Sequence, residues 1–145
     1  MTFRPIRSDA DWQAARAIRR RVFIEEQGCP PEEEWDGHDA TSHHVLGLAE
    51  GGEPAATARW RAVTHSGHPV AKLERFAVAP EHRGHGHGRA LIGYVLEEAR
   101  AAGLRAFYLH AQAHLEKLYA SFGFEREGEP FEEAGIPHVA MLRRD

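Results

Sequence analysis

The chain has 145 residues, 42% hydrophobic and 28% charged, with a formal net charge of −4 when histidine is neutral. That length suits one domain with an ordinary core, the hydrophobic content excludes a disordered chain, and the acidic balance argues against nucleic acid as a partner, the only basic run being Arg19–Arg21. A lone Cys29 excludes an internal disulfide and fits a reducing compartment, and neither a membrane-length apolar run nor an apolar signal segment occurs, so a cytoplasmic domain off the membrane is expected.

Thr2 to Arg7 reads as a first strand, and Ser8 with Asp11 has the spacing of a capping box. From about Asp9, Trp12, Ala15, Ile18, Val22 and Phe23 fall on one helical face with arginines on the other, until Gly28 supplies a stop. Gln27 to Thr41 is irregular and acidic, carrying Glu32, Glu33, Glu34, Asp36 and Asp39. His43 to Ala49 and Ala55 to Val63 read as two strands joined by a Gly-Gly hairpin connection. A turn over Thr64 to Pro69 leads to a strand from Leu73 to about Ala79, which Pro80 ends because it has no N–H for a ladder.

Gly84, Gly86 and Gly88 then alternate with His85 and His87 and open a helix in which Leu91, Ile92, Val95, Leu96 and Ala99 recur at three- and four-residue steps. Gly103 supplies its C-cap. Leu104 to His110 is a further strand, and His114 to Phe122 is a short helix that Gly123 ends. Phe124 begins the next strand and His138 to Leu142 makes the last, with Gly128 to Pro137 as the loop between them. The order β, α, β, β, β, α, β, α, β, β predicts a single α/β domain. Its twisted, mostly antiparallel mixed sheet carries fourth and fifth strands that run parallel on either side of the crossover helix.

The glycine loop carries the chemistry. A helix start leaves backbone N–H groups unpaired and bears the positive end of the macrodipole, so it binds anions, and glycines let a phosphate approach the backbone. Arg83 and Arg89 add positive charge. The spacing matches neither GxxxxGK followed by Ser or Thr nor GxGxxG, which removes the Walker and dinucleotide-binding loops. It does match RxxGxG, as Arg83, Gly86 and Gly88. A solvated turn is the plainer reading of the same loop. A metal is not expected, because His85 and His87 have no third ligand at a recognised spacing.

This loop, preceded by Phe76-Ala77-Val78, resembles the coenzyme A pyrophosphate loop of the GNAT superfamily of N-acetyltransferases. Downstream, HAQAHLEKLYASFGFE is similar to the other signature of that family. Tyr119, Gly123 and Phe124 match it, whereas Gln112 stands where Asn is usual and Leu115 where Ala is usual. RRRVFIEEQGCPPEEEWDGHD and FEEAGIPHVAML are similar to the ElaA-like branch, which extends the resemblance over nearly the whole chain. It implies an acetyl-CoA-dependent N-acetyltransferase in which Tyr119 is the general acid. Phe76, Ala77 and Val78 would contact the coenzyme, Arg83, Gly84, His85, Gly86, His87, Gly88 and Arg89 would hold its pyrophosphate, and Gln112 would lie beside it. A short second helix, common in the family before the first hairpin, would fall in the acidic loop.

Direct acetyl transfer to a primary amine of a small molecule or peptide needs a base, since a lysine-like amine has a pKa of about 10.4. Glu26, Glu74, Asp39, His110 and His138 are the available types, with Glu74 and Glu26 as the catalytic candidates. Glu26, Asp36, Asp39, His110 and His138 are the candidate substrate-binding residues, the acidic loop being suited to attract an ammonium. Tyr119 also has the spacing of a core aromatic beside Leu115 and Phe122. A non-catalytic acyl-CoA-binding sensor or interaction module is the competing reading, and the intact Tyr119 favours the enzyme. No partner is identified that would activate Cys29 as a nucleophile. The sequence leaves the acceptor and a homodimer open.

Overall fold

A computed structural model describes all 145 residues. In chain order they form β1 (Thr2–Pro5), α1 (Asp9–Arg19), α2 (Pro31–Glu34), β2 (His43–Leu48), β3 (Pro54–His65), β4 (His68–Val78), α3 (His87–Ala101), β5 (Ala106–Gln112), α4 (Glu116–Ala120), β6 (Glu125–Glu133) and β7 (Ile136–Arg144). The strands make one seven-stranded sheet in the order β1-β2-β3-β4-β5-β7-β6. Every neighbouring pair is antiparallel except β4 and β5, which α3 connects. No helix is long and apolar enough to cross a membrane.

Local chemistry accounts for the elements. Ser8 caps α1, its Oγ accepting from the Asp11 N–H at 3.1 Å. The helical segment then widens into a π-helical stretch over Arg20–Glu26, which Gln27 and Gly28 end. Such stretches are uncommon and concentrate at functional sites. The acidic loop contains α2, the short second helix that the resemblance implies, with Pro31 opening it where a missing N–H costs nothing.

Two hairpins are longer than expected. The strand expected from Leu73 begins at His68, and the segment Gly128 to Pro137, expected as a loop, holds the ends of β6 and β7, with Phe131–Glu133 paired to Ile136–His138 and a register shift between Glu127 and Phe131. Each hairpin turns on two residues of positive φ, Ser66 and Gly67 in one and Ala134 and Gly135 in the other. Two-residue turns of that hand match the twist of paired strands, but Ser and Ala are weak signals for them.

The sheet is buried on both faces. Val45 and Leu46, adjacent on β2, belong to different apolar clusters. One joins Val45, Trp60 and Leu73 to Leu91, Val95 and Ala99 of α3; the other joins Leu46 and Ala77 to Ala15, Ile18 and Val22 of the first helical segment. A bulge interrupts the β3–β4 register between Thr57 and Arg59, and Arg75 there has φ +60°. The extra residue flips the side-chain alternation, so Leu73, Phe76 and Val78 all meet the α3 cluster while Ala77 faces the first helix. The β4–β5 pairing covers only Ala71 to Leu73 against Phe107 to Leu109. Beyond it the two parallel strands part, and the site lies in that opening.

Candidate active site

Two cavities flank the parted strands. One, of about 470 Å³, lies between the π-helical stretch and the start of α3, with Phe76, Val78, Arg83, Gly86 and Leu91 on its wall. The other, of about 420 Å³, lies between α2 and the β6–β7 hairpin, with Glu34, Arg61, Glu74, His110, Glu133 and His138 on its wall. Phe23, Gln27, Phe76, Gln112, Leu115 and Tyr119 line both. The cavities therefore meet at Tyr119.

The glycine loop borders the first cavity. Gly84 and Gly86 have φ of +84° and +79°, and Gly86 is the N-cap residue of α3 with no side-chain cap. A Cβ at Gly84, Gly86 or Gly88 would meet nothing within 4 Å, so the loop presents bare backbone toward open space rather than toward packed protein. Arg83 is held over this space. Its Nε donates to the Val78 carbonyl at 2.9 Å, while Nη1 and Nη2 donate to the two Glu26 oxygens, both at 2.7 Å. That hydrogen-bonded pair lowers the Glu26 carboxyl below its usual range. Glu26 thus belongs to the loop side and does not line the cavity of His110 and His138. Arg89 turns to the Ser121 hydroxyl at 3.2 Å and lies over the Phe122 ring. His85 and His87 are 5.9 Å apart between ring centroids, and no three His, Cys, Asp or Glu side chains are arranged so that they could hold a metal ion.

Tyr119, carried on α4, is 6% exposed and packs between the rings of Phe76 and Phe124. Burial alone pushes its phenol well above the usual tyrosine value, with no hydrogen bond to offset it. Gln112 donates from Nε2 to Gln27 Oε1 at 3.0 Å, tying the end of β5 to the end of the π-helical stretch beside Tyr119.

Behind the second cavity lies a buried charge network. Arg59, fully buried, donates to Glu74 at 2.8 Å, to both Asp36 oxygens at 2.9 and 2.8 Å, and to Asp39 at 3.0 Å. Arg19, also buried, donates to Glu34 and Asp39, each at 2.7 Å. Arg61 and Lys72 add contacts to Glu74. Burial works against the charge on Asp36, Asp39 and Glu74, yet the arginines outweigh it and hold all three carboxyls below their usual range. For Glu34 burial wins and the carboxyl is raised. Arg75 brings Nε within 2.9 Å of Glu34, at an angle outside hydrogen bonding, so that Nε is buried without a hydrogen-bond partner. Asp36, Asp39 and Glu74 are committed to arginines, and Asp39 does not line the cavity at all.

The opposite wall is built differently. His110 on β5 and His138 on β7 stand on adjacent strands, with Glu133 at the tip of the β6–β7 hairpin between them. His110 Nδ1 is 2.9 Å from Glu133 Oε1 and its Nε2 is 3.2 Å from the Tyr108 hydroxyl. His138 is buried, with Nδ1 2.7 Å from the Ile136 carbonyl. Phe131 meets the His110 ring edge-on and stacks on that of His138.

The profile of the Acetyltransferase (GNAT) family matches residues 12–124. The chain belongs to that family. A Bacillus subtilis protein named as an acetyltransferase is 36% identical over 149 residues, covering 100% of this chain and 97% of its own. The crystal structure of Escherichia coli ElaA superposes with a TM-score of 0.85 at 32% identity, covering 99% of each chain. An acyl-CoA N-acyltransferase from Pseudomonas aeruginosa does so with a TM-score of 0.84 at 30% identity, also covering 99% of each. The protein is a GNAT acetyltransferase with the ElaA-like architecture.

For this GNAT chain, sequence reasoning missed Glu133, Gln27 and Arg59. Glu133 was hidden because Gly128 to Pro137 reads as a loop, and the Ala134-Gly135 pair was the available hairpin signal. Arg59 reads as the polar residue of an alternating strand, and nothing local in the sequence reveals three carboxylates converging on it.

Proposed function

We propose that this protein is an acetyl-CoA-dependent N-acetyltransferase that moves the acetyl group directly to a primary amine of a small molecule or peptide. The single observation that carries the reading is the pair of cavities that share Tyr119. One suits an acyl carrier and the other its acceptor. The residues of the loop-side cavity fit a diphosphate: backbone at an uncapped helix start, open space over three glycines, and Arg83 poised beside them. Phe76, Ala77 and Val78, on the part of β4 that β5 leaves unpaired, suit an extended amide-bearing arm, with Gln112 beside them.

When bound, acetyl-CoA supplies a thioester whose carbonyl accepts the amine and whose sulfur departs as a thiolate. Tyr119 is the general acid. Its phenol stays protonated at every working pH because burial disfavours the phenolate. The same burial disfavours a thiolate formed next to it, so the proton passes between two anions that burial penalises alike. Glu74 and Glu26 suit the base poorly, because each is paired with arginine and held below its usual range. A base on the hairpin side is the better fit.

The test is thiol release from acetyl-CoA over a panel of polyamines, aminoglycosides, amino acids and peptides. Release that depends on one class of amine is expected. Tight acetyl-CoA binding without release from any amine would make the protein an acyl-CoA-binding module instead.

A further inference from the structure

We propose that Glu133, His110 and His138 form a site for an alkylammonium group, in which His138 Nε2 takes the proton that frees the amine. The proposal rests on the N-acetyltransferase reading and assigns its acceptor side. The Ile136 carbonyl can only accept, so the 2.7 Å contact requires the proton of neutral His138 to sit on Nδ1. Nε2 is then a lone-pair acceptor. It lies 3.8 Å from Glu133 Oε2, too far for a direct hydrogen bond and with no proton between them in the neutral state. Two acceptors at that separation can both be reached by one ammonium nitrogen donating over about 2.9 Å to each.

The other Glu133 oxygen is anchored. His110 Nδ1 donates to Oε1 at 2.9 Å, and the Tyr108 hydroxyl donates to the remaining His110 nitrogen at 3.2 Å. The hydrogen bond from His110 keeps the Glu133 carboxyl below its usual range. Phe131 fixes both imidazole planes. The contrast with the facing wall matters, since Asp36 and Glu74 are bound by arginines whereas Glu133 has no arginine or lysine in contact. Charged and titratable groups also face this corner from the neighbouring strands: Arg61 on β3, Lys72 and Glu74 on β4, and Tyr108 and His110 on β5.

The step balances. An ammonium N–H bond breaks and an Nε2–H bond forms on His138, whose new charge faces Glu133. Because the Glu133 side chain is 47% exposed, the imidazolium can pass its proton to solvent. The freed nitrogen forms the amide, and its second proton replaces the one that Tyr119 gives to sulfur.

His138→Asn keeps a donor for the Ile136 carbonyl and removes the base. With putrescine, glycine methyl ester and a lysine peptide as probes, it should lower kcat/KM near neutral pH by about 10²–10⁴-fold. Acetyl-CoA affinity by calorimetry should be unchanged. Rates equal to wild type would overturn the proposal. Glu133→Gln should raise the amine KM about tenfold through loss of a charged hydrogen bond; an unchanged KM would overturn the ammonium contact. Should His138→Asn fail to fold, imidazole ¹⁵N spectra of the wild type with ethylammonium supply the test: a shift at His138 Nε2 is expected, and none would overturn it. A wild type that releases thiol with no amine fails the N-acetyltransferase reading itself, whereas an active wild type matched by His138→Asn fails only this inference.

Discussion

Replacing Arg59 with methionine probes the charge network that forms the back of the acceptor cavity. Arg59 is fully buried and makes hydrogen bonds to Asp36, Asp39 and Glu74. Removing one partner of a buried ionic cluster costs about 3–5 kcal/mol, because uncompensated charge stays behind. Here each carboxylate keeps another cation: Arg75 for Asp36, Arg19 for Asp39, Arg61 and Lys72 for Glu74. The cost should therefore lie near the lower end, at about 3 kcal/mol near neutral pH. Its pH dependence follows from the lowered carboxyls. Groups whose folded pKa is depressed add stability above their unfolded pKa, about 4, and lose it as pH falls through the folded value. Arg59→Met lessens that depression, so the gap between wild type and variant is full from near pH 7 down to about pH 4 and narrows only below that, as pH falls through the lowered folded values. Urea melts near neutral pH and at about one unit below the unfolded pKa measure it. A loss below about 1 kcal/mol, or a gap that does not change with pH, would refute the network as described.

Four further outcomes are expected. Tyr119→Phe should lower turnover by about 10²–10⁴-fold. Because the hydroxyl makes no hydrogen bond, its urea stability should change by less than about 1 kcal/mol. Gly86→Asp puts a carboxylate on a residue at φ +79° facing the loop-side cavity, and calorimetry should find no coenzyme binding. Glu26→Gln weakens the ion pair that holds Arg83, and because both side chains are 41% exposed the gain in acetyl-CoA affinity should be only about two- to fivefold and shrink with salt. Gly47→Ala drives a Cβ to 2.9 Å from Phe3 Cε1 and 3.0 Å from the Ala56 Cβ, which should cost about 1–3 kcal/mol in a denaturant melt.

The parts of this fold that depend on local signals are readable in the sequence. The glycine loop, the apolar face of α3 and the β4–α3–β5 crossover all announce themselves through spacing that backbone geometry requires. The acceptor side depends on register instead. His110 and His138 become neighbours only because β5 and β7 pair with Gln112 opposite His138. Glu133 reaches them only because the hairpin turns on Ala134 and Gly135. The carboxylates of the acidic segment read as bait for an ammonium, but Arg19 and Arg59 arrive from α1 and β3 to neutralise Asp39, and Arg59 does so for Asp36. A charge in sequence does not disclose its partner. The bulge at Arg75 is equally silent, although it sets which β4 side chains face each cavity.

The most direct test of direct amine acetylation is mass spectrometry of each panel amine after incubation with the enzyme and acetyl-CoA. The expected result is an amine heavier by one acetyl group, formed in equal amount to the thiol released and lost in Tyr119→Phe. Thiol release with no acetylated amine, or an acetylated product that Tyr119→Phe forms as fast as wild type, would contradict it.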